Sequence, residues 1–139
     1  MIGVQMVQII LVRVKRQVYS YLFDTLELSA HQANEILHIA GSALQDLIKE
    51  EMRSGKIDGV LADLEDEGFL DLFRTPFAIK FRQRLSEYFA QQSSVEKSKI
   101  KILVLVILPY FLSELARQLK KNLEDEGNAR LLSVVGISS

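Results

Sequence analysis

Eleven consecutive residues, Ile102-Leu103-Val104-Leu105-Val106-Ile107-Leu108-Pro109-Tyr110-Phe111-Leu112, are uncharged and mostly aliphatic. Such a run offers water no polar face, so the rest of the chain has to enclose it. Periodicity cannot separate strand from helix where every position is apolar. Length and flanks can. The run is long for a strand, and its pattern continues as Leu115, Ala116 and Leu119 at helical spacing. Ser93 followed three residues later by Glu96 is a capping-box signature, with Ser94 as the alternative cap. The reading is one helix over 95–121. Pro109 falls inside it, removing a backbone donor and crowding the carbonyl of Leu105 at roughly 3 kcal/mol, which predicts a kink. The β-branched Val104, Val106 and Ile107 are the argument for a strand. A membrane span needs about 18 apolar residues, and Lys99, Lys101, Glu114 and Arg117 close this run too early.

The chain has 139 residues, 48% of them hydrophobic, which suits a single domain over 1–139 with a sizeable core. There is no cysteine, hence no disulfide, thiolate metal site or cysteine nucleophile, and a cytoplasmic location is expected. Seventeen basic residues against eighteen acidic ones, with the basic ones spread over several helices, give no footprint for nucleic acid.

Taken in order, the opening apolar segment is followed, not preceded, by Arg13, Lys15 and Arg16, so it is read as mature sequence and not as a signal peptide. Val4, Val7, Leu11, Val14, Val18 and Tyr21 predict a helix to about residue 23. Ile9, Val12, Tyr19 and Phe23 form a second apolar stripe on nearly the opposite side, which is either buried within the one subunit or a candidate partner interface for a second copy of the chain. With Arg13, Lys15 and Arg16, the same helix could also lie on an anionic membrane, the less favoured reading. Ser29 with Gln32 opens a second helix, whose expected buried face is Ala33, Ile36, Leu37, Ala40, Leu44, Leu47, Ile48 and Met52, and Gly55 ends it. A short helix over 58–64 follows. Thr75-Pro76 starts another, to about residue 90, with Phe77, Phe81, Leu85, Tyr88 and Phe89 on one face. The apolar tail 131–137 is expected to dock back onto the domain.

Motifs that suggest chemistry each have a plainer explanation. The acidic stretch from Asp63 to Arg74 imitates a calcium loop, but Arg74 stands where a bidentate glutamate is required, so a solvated loop is the better reading. His31, Glu35 and His38 share a helix face, yet two turns separate the histidines, about 10 Å along the axis, and the face should meet water. The remaining carboxylates fall in charged runs, and no lone acid interrupts an apolar stretch. No catalytic residue, metal ligand or cofactor is assigned.

Three segments in order resemble the YidB-like family of small bacterial all-helical proteins. The stretch from Ile39 to Ile48 running into Ser54-Gly55-Lys56-Ile57-Asp58-Gly59-Val60-Leu61 is similar to the family's middle helix and glycine-containing turn. Thr75-Pro76-Phe77 resembles its proline-led helix start, and Ile107-Leu108-Pro109-Tyr110 with Leu112 and Leu115 its late apolar helix. This chain is richer in charge and poorer in glycine and asparagine than that pattern. The resemblance implies an all-helical fold and brings no active site with it. The expectation is therefore an all-α bundle of five or six helices around a buried, proline-kinked helix. It would serve as a non-enzymatic interaction or scaffold module. The alternative is a carrier of an apolar small molecule or lipid, in a cavity lined by Phe77, Phe81, Phe89, Leu105 and Pro109.

Overall fold

The computed structural model describes residues 4–55 and 74–134, with Val4 and residues 122–134 given by their backbone alone. Among the described residues stand four helices: α1 (Val4–Asp24), α2 (Ala30–Arg53), α3 (Pro76–Gln92) and α4 (Lys97–Val134). None of these residues is in a strand, so the apolar run is helical despite its β-branched content. The helix expected over 58–64 lies outside the described residues. Where five or six helices were expected, four are seen.

The helix starts follow local chemistry. Ser29 and Gln32 form a reciprocal capping box, each side chain accepting the other's backbone N–H at 3.1 Å. Thr75 Oγ1 accepts the N–H of Ala78 at 3.2 Å, and Pro76 occupies the first turn, where a missing N–H costs nothing. Gly55, at φ +72°, ends the turn after α2. The start of α4 differs from expectation. Ser93 caps the C-terminus of α3 instead, its hydroxyl donating to the Phe89 carbonyl at 2.7 Å, and α4 begins at Lys97. At its far end α4 passes Lys121 and continues to Val134 as one helix, so the polar stretch from Asn122 to Gly127 is not a break. Glutamates suit a helix, and the single Gly127 costs only about 1 kcal/mol.

Pairs of contacts give the directions. Leu11 lies on Gly41 and Tyr19 on Asn34; Asp46 meets Tyr88 and Glu51 meets Lys80; Gln17 meets Glu114 and the Leu26 carbonyl meets Lys99. In each case the chain advances on one helix as it retreats on the other. Each helix packs on two others, α1 on α2 and α4, and α3 on α2 and α4, closing an up-down-up-down bundle. Helices α1 and α2 come close at Gly41, where an added Cβ would stand 2.7 Å from Leu11 Cδ1. The reversal between them puts Glu27 in the left-handed region at φ 53°, a strain the burial of Leu26 and Leu28 on either side of it holds in place.

The core is built from one stripe per helix. On α1 the buried stripe is Val7, Ile10, Val14, Val18 and Leu22; its mostly four-residue steps exceed the helical period, so it rotates away from Tyr21, which is exposed. On α2 the expected face is buried except for Met52, which points out while its neighbour Glu51 is taken in. On α4 the buried apolar positions with described side chains are Ile100, Leu103, Val104, Ile107, Leu108, Phe111, Leu112, Leu115 and Leu119. The run is not dry on every side: Ile102 is 48% and Leu105 59% exposed, and Tyr110 is exposed as well. A helix in a four-membered ring touches two flanking neighbours and the centre, so one stripe always remains outside. Pro109 is only partly buried, one turn from Leu105 on that outer side. The carbonyl it leaves unpaired is therefore on the side where water can serve it.

This rotation of α4 separates two otherwise similar leucines. Leu103→Ala should cost about 2–5 kcal/mol, whereas Leu105→Ala should stay within about 0.5 kcal/mol. Urea unfolding of the two variants measures the difference, and equal losses would contradict the orientation of the helix.

Candidate interaction surface

The five residues expected to line one cavity are not brought together. Phe77, Phe81 and Phe89 are fully buried, with the Phe81 ring edge-on to Phe111 at 5.9 Å and tilted to Phe77 at 6.3 Å. Leu105 faces solvent and Pro109 the outer side of α4, so these two share no enclosed space with the phenylalanines. Leu105 instead borders an open groove of about 640 Å³ between α3 and α4, with Val104, Lys101, Arg82, Gln83, Ser86 and Glu87. The four candidate interface residues of α1 also divide. Ile9 is 46% and Val12 51% exposed, while Tyr19 and Phe23 are partly buried against the core and stack edge-on at 4.5 Å. Tyr19 is engaged further, its hydroxyl donating to Asn34 at 3.4 Å and its ring lying under the Lys15 ammonium at 4.9 Å. A shallow groove between α1 and α2 brings Val12 and Lys15 beside Leu37 and His38. His31 and His38 are exposed, and Glu35 accepts the Ser94 backbone N–H at 2.6 Å, which ties the α3–α4 turn to α2.

Charge is unevenly distributed among the helices. Helices α2 and α3 balance acids with bases and use them on each other. Glu50 meets Arg84 at 2.6 Å, Tyr88 donates to Asp46 at 2.6 Å, and the nearly buried Glu51 meets Lys80 at 2.8 Å. The Arg84 hydrogen bond and charge lower the Glu50 pKa below its ordinary 4.5. The Asp46 acceptor, then burial, raises that of Tyr88 above its ordinary 10.0.

Helices α1 and α4 are basic. Arg13, Lys15 and Arg16 on α1 and Lys97, Lys99, Lys101, Arg117, Lys120 and Lys121 on α4 face only Asp24 and Glu114 as acids on those helices up to residue 121. Nine basic residues that look dispersed along the chain thus fall on two adjacent helices of the bundle, with Lys101 at the α3–α4 groove. Glu114 is 2% exposed and lies between the two helices, where Oε1 accepts from Gln17 Nε2 at 3.2 Å. Arg13 and Arg117 stand 3.9 Å from its carboxylate, too far for a hydrogen bond, and Oε2 has no hydrogen-bond partner. One buried carboxylate thus draws two guanidinium groups to the seam while both stay substantially exposed, at 46% and 63% of their side chains.

Glu114, Glu51 and Gln118 are the buried polar residues that sequence reasoning missed. A signal existed for the first: Phe111, Leu115 and Gln118 lie three, one and four positions away and are all buried, so Glu114 falls within the buried arc of α4. Comparison with known protein families, with curated proteins and with solved structures finds no match.

The α2–α3 seam sets a two-sided pH limit. The depressed Glu50 pKa contributes stability that is full above 4.5 and is lost as pH falls through the lower folded value. The raised Tyr88 pKa contributes stability that is full below 10.0 and is lost as pH rises through the higher folded value. Thermal unfolding across pH should therefore show a shallower acid limb for Glu50→Gln and a shallower alkaline limb for Tyr88→Phe. Unchanged limbs in both variants would show that the seam carries no such linkage.

Proposed function

We propose that this chain is a non-enzymatic interaction module that works through the outer surface of α1 and the adjoining part of α4. The observation that carries the reading is the exposure of Ile9 and Val12 beside Arg13, Lys15 and Arg16, facing the stretch of α4 up to residue 121, whose one acid, Glu114, is buried. Exposed aliphatic side chains amid cations gain by being covered, and a partner that covers them also meets a uniform charge. The resemblance to the YidB-like bacterial family, a cytoplasmic setting and a bundle of five or six helices belong to the same proposal. Self-association through α1, the form first suggested by its second apolar stripe, would set Arg13 and Arg16 near their own copies. A complementary, acidic partner fits the surface better.

A carrier reading has one observation in its favour, the groove of about 640 Å³ beside Val104 and Leu105. An apolar ligand would lie there, open to solvent and among Arg82, Glu87 and Lys101, and not between the phenylalanines. Native mass spectrometry of the purified protein would then show co-purified apolar mass.

The interaction reading is tested by placing a photo-crosslinking residue at Ile9 or at Tyr110, with one at the exposed Lys49 of α2 as control. Adducts are expected from the first two positions and not from the third. No adduct from either would remove the reading. Light scattering on dilute protein separates the self-association version, which a strict monomer eliminates.

A further inference from the structure

We propose that the partner of this surface is the anionic face of a phospholipid bilayer, on which the bundle lies with α1 parallel to the membrane plane. The proposal rests on the reading of α1 and α4 as an interaction surface and specifies what covers it.

Three observations favour lipid. The first is the order of residues along α1: Ile9, Val12 and Arg16 succeed one another at steps of three and four, so an exposed aliphatic stripe runs directly into a cation. An interfacial helix has this composition, with aliphatic groups at the acyl boundary and cations among the phosphates. The second is the register with α4. Gln17 meets Glu114 and the helices are antiparallel, so Arg13 and Ile9 run alongside Arg117 and Lys121. Arg13, Lys15, Arg16, Arg117, Lys120 and Lys121 therefore share the half of the bundle that carries Ile9 and Val12, while Lys97, Lys99 and Lys101 lie toward the other end, where Lys99 bonds the Leu26 carbonyl. Among the residues whose side chains are described, the exposed acids in or beside these helices, Asp24, Glu27 and Glu96, lie at the other end. Along α4 the sequence turns acidic at Glu124, which bounds the basic stretch.

The third is Glu114. Its buried carboxylate holds Arg13 and Arg117 at 3.9 Å without bonding them, so both guanidinium groups keep donors for a phosphate. Among the described residues no helix is long and apolar enough to cross a membrane, so the contact is peripheral. A nucleic acid would match the charge but leave Ile9 and Val12 wet. A second copy would cover the apolar stripe but oppose the charge. Anionic lipid answers both.

Flotation of the full chain with vesicles of phosphatidylcholine, with and without phosphatidylserine, tests the proposal, with duplex DNA and polyglutamate as comparison ligands. The protein is expected to float with the phosphatidylserine vesicles alone and to be released by salt. Each cation removed should weaken binding about fivefold, so Arg16→Gln with Lys120→Gln should lose about 25-fold. Ile9→Ser with Val12→Ser should lose about tenfold or more through the apolar contribution. All four side chains are exposed, so circular dichroism and the unfolding midpoint should match the parent protein. No flotation, equal flotation on phosphatidylcholine alone, undiminished binding of the charge variant, or preference for DNA or polyglutamate would each overturn the proposal. If flotation fails while the crosslinker at Ile9 captures a protein, lipid is wrong and the interaction reading stands. If both fail, neither does.

Discussion

The rotation of α4 about its own axis is the constraint on which the rest of the bundle depends. Its apolar run could be turned many ways, but Phe111 stacks edge-on to Phe81, and Leu103, Ile107 and Leu115 are fully or almost fully buried with it. Once that arc is committed inward, the remaining positions follow from helical geometry. Leu105 and Ile102 turn to solvent, Glu114 is carried into the seam with α1, and Pro109 falls on the outer side. The surface of the molecule is thus a consequence of the packing inside it.

The two kinds of seam divide the work of holding the bundle together. Between α2 and α3, a ladder of charged and hydrogen-bonded pairs supplements the apolar contact and consumes the charges that make it. Exposed members of such a ladder contribute little each, and their value is in fixing register. Between α1 and α4 a single carboxylate serves two guanidinium groups and an amide, and the surplus positive charge remains outside. A buried charge of this kind is a costly way to stabilise a seam and a good way to permit only one alignment. That asymmetry leaves one side of the bundle electrostatically complete and the other not.

How far the sequence could be read depended on whether a feature was local. Caps at Ser29 and Thr75 and the buried stripes of α2 and α3 were legible because a few neighbouring residues determine them. The all-helical class followed from the same signals. The start of α4 was misread because Ser93 satisfies a carbonyl of the preceding helix, a competition that a capping pattern does not reveal. The extension of α4 through Asn122 to Gly127 was missed because polarity was taken for a break. Ile102 and Leu105 were read as buried since an unbroken apolar run contains no period to show which side faces out. The basic surface was invisible for a different reason: Arg13 and Arg117 are remote in the chain, and only antiparallel packing makes them neighbours.

Pro109 leaves the longest helix one rung short in its hydrogen-bond ladder. A rod with a missing rung bends there more readily than elsewhere, and it bends toward or away from the side where the rung is absent. The segment carrying Lys99 and Leu105 and the segment carrying Arg117 and Lys121 are therefore two levers joined at a soft point, not one stiff shaft. Bending at that joint would shift Lys99 and Leu105 relative to Arg117 and Lys121, and with them the groove that Leu105 borders beside α3.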